Sequence, residues 1–363
     1  MGNLHKVQGL WGMVLIELTN VCNFSCDFCP SDFLKRKRVF MPRELWKKIL
    51  SELGEKKMTS KVTFSLLGEP LLHKDVFEAI RFANNQGLRV ILYTNGSLLD
   101  KDKTNELLDS LENGAIVLGI QDIVPDNFNK RCRGLFAWES YISQLQNFAI
   151  RAQSLGKPIQ IHFMADVLSA GWDLKKIIKE QQAMQVIYDQ WAKALNTKNK
   201  GKINIFNPTA YYPLGENSSF YVKSKLRYPT KSIDEEREIR PSDHGFCIHL
   251  TDTFVVLADG TCTFCCNDYE GELNLGNVRE NSLEDIFYGE KSAQICEAGK
   301  ANRMIKDICK ICCGRVVYKK SQKPAQYSNL ILDFYLFIEH IKQYGIESAI
   351  RKAANNIRRR ISG

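Results

Sequence analysis

The chain predicts an α/β protein in which parallel strands alternate with helices, and three observations on its 363 residues carry that expectation. Short apolar, β-rich runs alternate with longer segments of helical apolar period between residues 11 and 206. Proline opens the first helical segment and Gly87 closes the second. The composition, 44% hydrophobic and 25% charged, supplies material for a large core. Right-handed strand–helix–strand units in this number form a closed or partial barrel, whose active groups belong at the carboxyl ends of the strands. The length fits one large domain with a smaller one.

In order, residues 11–18 read as a buried strand that runs into Cys22, Cys26 and Cys29. A helix over 42–53 follows, then strand 61–66, helix 74–85 and strand 88–93. Helix 103–112, strand 115–120, helix 137–154 and strand 158–164 continue the alternation, and helix 174–195 and strand 202–206 complete it. Each strand end carries polar groups: the three cysteines, then Gly68-Glu69, Thr94-Asn95-Gly96, Gln121-Asp122 and Asp166. Singly these are ordinary turn residues. Together they would converge on one barrel mouth.

Three thiols within residues 22–29 select a soft metal or an iron–sulfur cluster. A structural zinc site or an electron-transfer cluster wants four protein ligands, so three with no nearby fourth leave one metal corner open. The twelve cysteines fall in tight local groups, and the N-terminus lacks the apolar stretch of a signal peptide. Metal ligation in a cytoplasmic protein is therefore expected over a disulfide framework. No run reaches the roughly 18–20 apolar residues of a membrane span. The net charge of +9 is spread along the chain, which favours an anionic ligand; nucleic-acid binding is not expected from it.

The spacing Cys-x3-Cys-x2-Cys, with Phe28 before the third cysteine, resembles the signature of radical S-adenosylmethionine (radical SAM) enzymes. Residues 66–72 (Leu-Leu-Gly-Glu-Pro-Leu-Leu) resemble that family's glycine–glutamate motif, and 93–96 (Tyr-Thr-Asn-Gly) its third strand end; residues 37–41 before the first helix are also typical. The resemblance implies a partial (β/α)6 TIM-like barrel over residues 11–210. It also implies that Cys22, Cys26 and Cys29 hold a [4Fe–4S] cluster, with S-adenosylmethionine chelating the fourth iron. Reductive cleavage of that cofactor would give a 5′-deoxyadenosyl radical that abstracts a substrate hydrogen. By the same resemblance Glu69 would accept from the methionine ammonium, Gly68 would allow close backbone approach, Phe28 would pack near the adenine, and Asn95 would neighbour the ribose or adenine. Arg133 would contact the carboxylate. The family pattern places a serine two residues before Asp122, and this chain has Ile120.

A second cysteine region follows. Cys247 precedes a strand-like stretch over 251–257 and the turn signal Ala258-Asp259-Gly260; Cys265 follows, and later Cys309 and Cys312. The layout is similar to the auxiliary-cluster extension called SPASM, and to its single-cluster twitch form because Tyr318 stands where the longer form has a cysteine. The resemblance assigns Cys247, Cys265, Cys309 and Cys312 to one auxiliary [4Fe–4S] cluster. It leaves Cys132, Cys262, Cys266, Cys296 and Cys313 as small hydrophobes, with Cys266 and Cys313 the neighbours most easily confused with ligands. Spacing alone would serve a structural zinc equally well.

The expected organisation is a core over 1–210, a linker or substrate loop over 211–241, an auxiliary cluster domain over 242–325 and an amphipathic basic helix over 326–363. The expected function is that of an oxidoreductase resembling a dehydrogenase, acting on a small or sugar-like molecule with the auxiliary cluster as electron acceptor. Only about twenty residues precede Cys22, fewer than a leader-binding domain needs, and the peptide-modifying maturase is the alternative. A non-catalytic module binding zinc and nucleic acid is the alternative of another class. A flavodoxin or ferredoxin would donate electrons, and the basic C-terminus, Arg351 to Arg360, could touch an anionic membrane surface. His162, Asp166, Tyr211 and Tyr212 could face substrate, although such residues usually serve packing.

Overall fold

The structure, a computed structural model, describes residues 12–165, 174–198, 201–205, 211–224, 237–247 and 249–318. Asp166 and the whole of 326–363 lie outside the described residues. The chain divides into two compact units, Met1–Leu226 with Thr253–Ile286, and Arg227–Asp252 with Phe287–Gly363. Among the described residues no helix is long and apolar enough to cross a membrane.

In chain order the first unit contains β1 (Met13–Ile16), α1 (Arg43–Glu55), β2 (Lys61–Phe64), α2 (Val76–Asn85), β3 (Arg89–Thr94), α3 (Lys101–Ser110) and β4 (Gly114–Gln121). There follow α4 (Pro125–Arg131), α5 (Trp138–Ser154), β5 (Ile159–Ala165), α6 (Leu174–Ala194), β6 (Tyr211–Pro213) and β7 (Ser218–Ser224). Through α6 every expected strand and helix is present, and α4 is an additional helix. The helices form where apolar residues recur at helical spacing: α1 buries Leu45, Trp46, Ile49, Leu50 and Leu53, and α5 buries Tyr141, Leu145, Phe148, Ala149 and Ala152. Removing each large apolar side chain from water contributes about 1.5–3 kcal/mol. The Asp100 carboxylate caps α3 by accepting from Lys103 N at 2.8 Å.

Strands β1 to β5 and then β7 are all parallel neighbours in one sheet. The sixth strand is therefore not residues 202–206. Residues 201–205 form no strand, because glutamines of α6 satisfy their backbone: Gln185 Oε1 accepts from Ile203 N at 2.8 Å, and Gln181 Oε1 accepts from Ile205 N at 3.0 Å. The strand is Ser218–Ser224, within the stretch read as linker or substrate loop. Phe220 and Val222 on one of its faces are fully buried, and it pairs with β5 from Ile159↔Ser218 to Ala165↔Ser224.

Continuing the chain, β8 (Arg237–Arg240) and α7 (His249–Asp252) precede β9 (Thr253–Val256), β10 (Thr261–Thr263) and β11 (Gly276–Asn277). Strand β9 lies parallel to β1, from Met13↔Thr253 to Ile16↔Val256, and β10 and β11 extend the sheet beyond it. The sheet order is thus β11-β10-β9-β1-β2-β3-β4-β5-β7-β6, a partial barrel with neither end paired to the other. Leu15, Val255 and Leu257 form an apolar cluster at this junction. The remaining elements are α8 (Leu283–Phe287), α9 (Glu290–Lys300), α10 (Asp307–Cys312) and β12 (Arg315–Tyr318). In the second unit β12 pairs antiparallel with β8, and the Cys296 thiol donates to Leu250 O at 3.2 Å.

Candidate functional site

The chain leaving β1 forms a loop sewn to itself. Thr19 Oγ1 donates to Val39 O at 2.9 Å, Val39 N donates to Asn20 Oδ1 at 2.8 Å, and Met41 N donates to Leu18 O at 2.8 Å. The Arg38 guanidinium donates to Asn20 O at 2.7 Å. Residues 37–41 thereby hold the base of the loop on which Cys22, Cys26 and Cys29 sit. All three thiols are half-buried and unbridged. Burial pushes them up, Cys22 to about 11, and proximity to one another adds to the effect at Cys22 and Cys26. Cys22 Sγ accepts from Phe24 N at 3.4 Å, a bond that favours thiolate. Buried thiols of this kind would suit a cationic metal cluster, which deprotonates its ligands outright.

Glu69, which follows β2, is almost fully buried. Its Oε1 accepts from Thr94 Oγ1 at 2.7 Å and Leu71 N at 3.0 Å, and its Oε2 accepts from Asn95 N at 2.7 Å. Burial outweighs these bonds and raises the carboxyl to about 7. Each carboxylate oxygen has about two acceptor positions, so Oε2 retains room for an ammonium. Gly68 has a more local role than expected. A Cβ there would lie 2.0 Å from Thr19 O, and Glu69 N donates to Val21 O at 2.9 Å. The glycine lets the Glu69 segment abut the cysteine loop. Asn95 Nδ2 donates to Asn23 Oδ1 at 3.0 Å, tying β3 to the same loop. Cysteine loop, Glu69 and Asn95 are therefore brought together. Phe28 is half-buried on the loop.

Arg133 is placed differently. It lies beyond the end of α4 with φ at 56°, its side chain is exposed, and it pairs with Asp32 at 3.3 Å. Arg131 is the buried arginine. Its Nε is 3.1 Å from Asp122 Oδ2, its guanidinium lies 5.1 Å from the Phe24 ring, and its charge acts on Cys26. Its Nη2 has no hydrogen-bond partner among the described residues. The signal was helical phase: Phe128 and Arg131, three apart, share the buried face of α4. Ile120 is fully buried among apolar side chains and offers no donor.

Of the second cysteine group, Cys265 lies in the first unit, and Cys247, Cys309 and Cys312 lie in the second. The Cys265 thiol is pushed up by its hydrogen bond with Cys266 and by burial, and Sγ accepts from Asn267 N at 3.3 Å, the arrangement also seen at Cys22. Cys266 packs against the Leu15–Val255–Leu257 cluster. Cys309 is half-buried and Cys312 exposed, whereas Cys132, Cys262, Cys296 and Cys313 are buried. Tyr212 serves packing, accepting from Asn204 N at 2.7 Å beside Tyr188. His162 and Tyr211 instead meet through Tyr221, at ring separations of 4.7 and 4.5 Å.

Comparison with known proteins agrees with this arrangement. Residues 16–149 match the family described as the radical SAM superfamily, and residues 247–313 match an iron–sulfur cluster-binding domain, SPASM. The chain is 22% identical over 307 residues to an S-adenosyl-L-methionine-dependent 2-deoxy-scyllo-inosamine dehydrogenase of Niallia circulans, spanning 84% of this chain and 93% of that protein. It is 37% identical over 98 residues to a PqqA peptide cyclase of Bradyrhizobium diazoefficiens, a match that covers 25% of that enzyme. Streptococcus suis SuiB bound to S-adenosylmethionine shares the fold at a TM-score of 0.54 and 16% identity, over 84% of this chain and 72% of that one. By these two matches the chain belongs to the radical SAM superfamily and is an enzyme carrying a SPASM iron–sulfur domain.

Proposed function

We propose that this enzyme is an oxidoreductase that dehydrogenates a small, hydroxylated molecule. The observation that carries the reading is the alignment with a cyclitol dehydrogenase over 84% of this chain and 93% of that protein. Cys22, Cys26 and Cys29 would hold the cluster that binds the cofactor, and Cys247, Cys265, Cys309 and Cys312 a single auxiliary cluster. When bound, these groups supply one-electron cleavage of S-adenosylmethionine, removal of a substrate hydrogen atom, and an acceptor for the electron that the substrate then loses.

The chain's own residues position and shield. Glu69 would accept from the cofactor ammonium through Oε2. Arg131, already buried beside Asp122 and Cys26, is better placed than Arg133 to meet a carboxylate. Phe28 would cover the adenine, and Asn95 and Asn23 would stiffen the cysteine loop against β3. The enzyme would work in the cytoplasm with a flavodoxin or ferredoxin as reductant.

Anaerobic reconstitution tests the assignment. Changing Cys22, Cys26 and Cys29 together to Ala should remove about four irons per chain and abolish 5′-deoxyadenosine formation. Full iron in the triple variant would sink the cluster assignment. Changing Cys309 and Cys312 should remove the second cluster and leave uncoupled cofactor cleavage. Deuterium passing from labelled cell extract into 5′-deoxyadenosine identifies the substrate. Label from the peptide fraction would favour the second reading, a peptide maturase, to which the 37% identity with the peptide cyclase points.

A further inference from the structure

We propose that Lys223, His162 and Gln121 form a subsite within the barrel for a hydroxylated anion, with Lys223 taking a carboxylate or phosphate and the other two accepting from neighbouring hydroxyls. The proposal rests on the reading of a small hydroxylated substrate and adds its charge.

Three adjacent strands bring these side chains together. His162 of β5 is the register partner of Tyr221 of β7, and their rings are 4.7 Å apart. Side chains alternate along a strand, so Lys223 shares the face of Tyr221, one step nearer the carboxyl end. On the other side His162 pairs with Gly119 of β4. The Gln121 amide lies over that glycine: a Cβ at Gly119 would meet Gln121 Nε2 at 2.9 Å. Gln121 is at an irregularity in the β4–β5 register and has φ at 71°, a conformation disfavoured for a residue with a side chain. Tyr93 of β3 closes the group from further round, with its ring 5.7 Å from His162.

Two of the three groups have unused bonding capacity. His162 Nδ1 and Gln121 Oε1 are buried without a hydrogen-bond partner among the described residues. His162 Nε2 is 3.2 Å from Gln160 Oε1, to which it would donate, leaving Nδ1 as an acceptor. Burial, with the Lys223 charge adding to it, holds His162 down to about 3, so the ring is neutral. Burial lowers Lys223 to about 8, with no acidic group among the described residues offsetting it, and the amine still carries its charge at neutral pH. A buried cation of this kind is costly unless an anion joins it. Two acceptors beside a cation match a hydroxyl-bearing anion; a neutral polyol would leave the charge unmet.

Reductive labelling of the reconstituted full chain tests the subsite without a known substrate. Pyridoxal 5′-phosphate forms an imine with a lysine amine, expelling water, and cyanoborohydride reduces it to a stable secondary amine that peptide mass analysis locates. Because the aldehyde consumes the Lys223 amine, an anion bound there should slow the labelling about tenfold, the worth of one charge-assisted contact. Glycerate or glycerol 3-phosphate should slow the labelling, and which of them does so identifies carboxylate or phosphate. Glycerol should not. Gly119→Ala, which displaces the Gln121 amide, should weaken the protection. Labelling that neither anion slows, or protection by glycerol as strong as by the anions, would overturn the proposal. Cofactor cleavage, assayed on the same preparation, separates the two readings: anion-protected labelling without 5′-deoxyadenosine sinks the enzymatic reading alone, and cleavage without anion protection sinks the subsite alone.

Discussion

The Glu69 carboxyl accepts three hydrogen bonds from its own chain and still sits at about 7, because burial outweighs them. A carboxyl raised in the fold contributes stability that is complete below its unfolded value near 4.5 and is lost as pH rises through about 7. Glu69→Gln removes that dependence. Cofactor-free wild type should therefore lose Tm relative to the variant between about pH 4.5 and about pH 7, and no further above that, as thermal scans can show. The same variant should bind S-adenosylmethionine about tenfold more weakly in equilibrium dialysis, having lost a charged acceptor. Gly68→Ala forces a Cβ to within 2.0 Å of a backbone oxygen, which has no soft side chain to move. Iron content after reconstitution should fall. The cysteines, Gly68, Glu69 and Asn95 were legible in the sequence because short spacing and strand ends fix them. Arg131 was not. Choosing it over Arg133 requires the exact end of α4, and helix ends are the least readable part of a pattern.

At the scale of elements, the loop after the cysteines is bolted to the β9–β11 hairpin. The Arg36 guanidinium meets Glu17 at 3.0 Å and donates to Tyr269 O at 2.6 Å, while Glu270 accepts from the backbone of Lys35 at 2.9 Å. Glu17 is wholly buried and also accepts from Ala258 N at 2.9 Å. Arg36→Met would leave this carboxylate unpaired, at a cost of about 3–5 kcal/mol. Chemical denaturation should show that loss, and adding Glu17→Gln should recover much of it. Most of this clamp could not be read from the chain, since Lys35 and Glu270, Arg36 and Tyr269, and Glu17 and Ala258 are each more than two hundred residues apart. Helices α1 to α3, α5 and α6 were readable because each buries one face at regular spacing, whereas the two-turn α4 was not read. Strand β7 was obscured because its inner positions carry Ser219, Tyr221 and Lys223, which suit a functional lumen and resemble a loop in composition.

For the whole molecule, the alternation of strand and helix was enough to specify a partial barrel, but not what covers its first edge. A chain lacking residues 253–286 would bare β1 along its full length together with Leu15. Exposed apolar edges template association. Expressed alone, residues 1–226 should elute as aggregate in size-exclusion chromatography, where the full chain does not. Parallel pairing of β1 with β9 also sets an order of events during synthesis. The loop bearing Cys22, Cys26 and Cys29 leaves the ribosome well before β9, and Glu17 at its root meets Ala258 only 241 residues later. Contacts of such separation form late. The oxygen-sensitive cluster thus has its finished seat only once β9 has been made, and its loading belongs after that stage of synthesis.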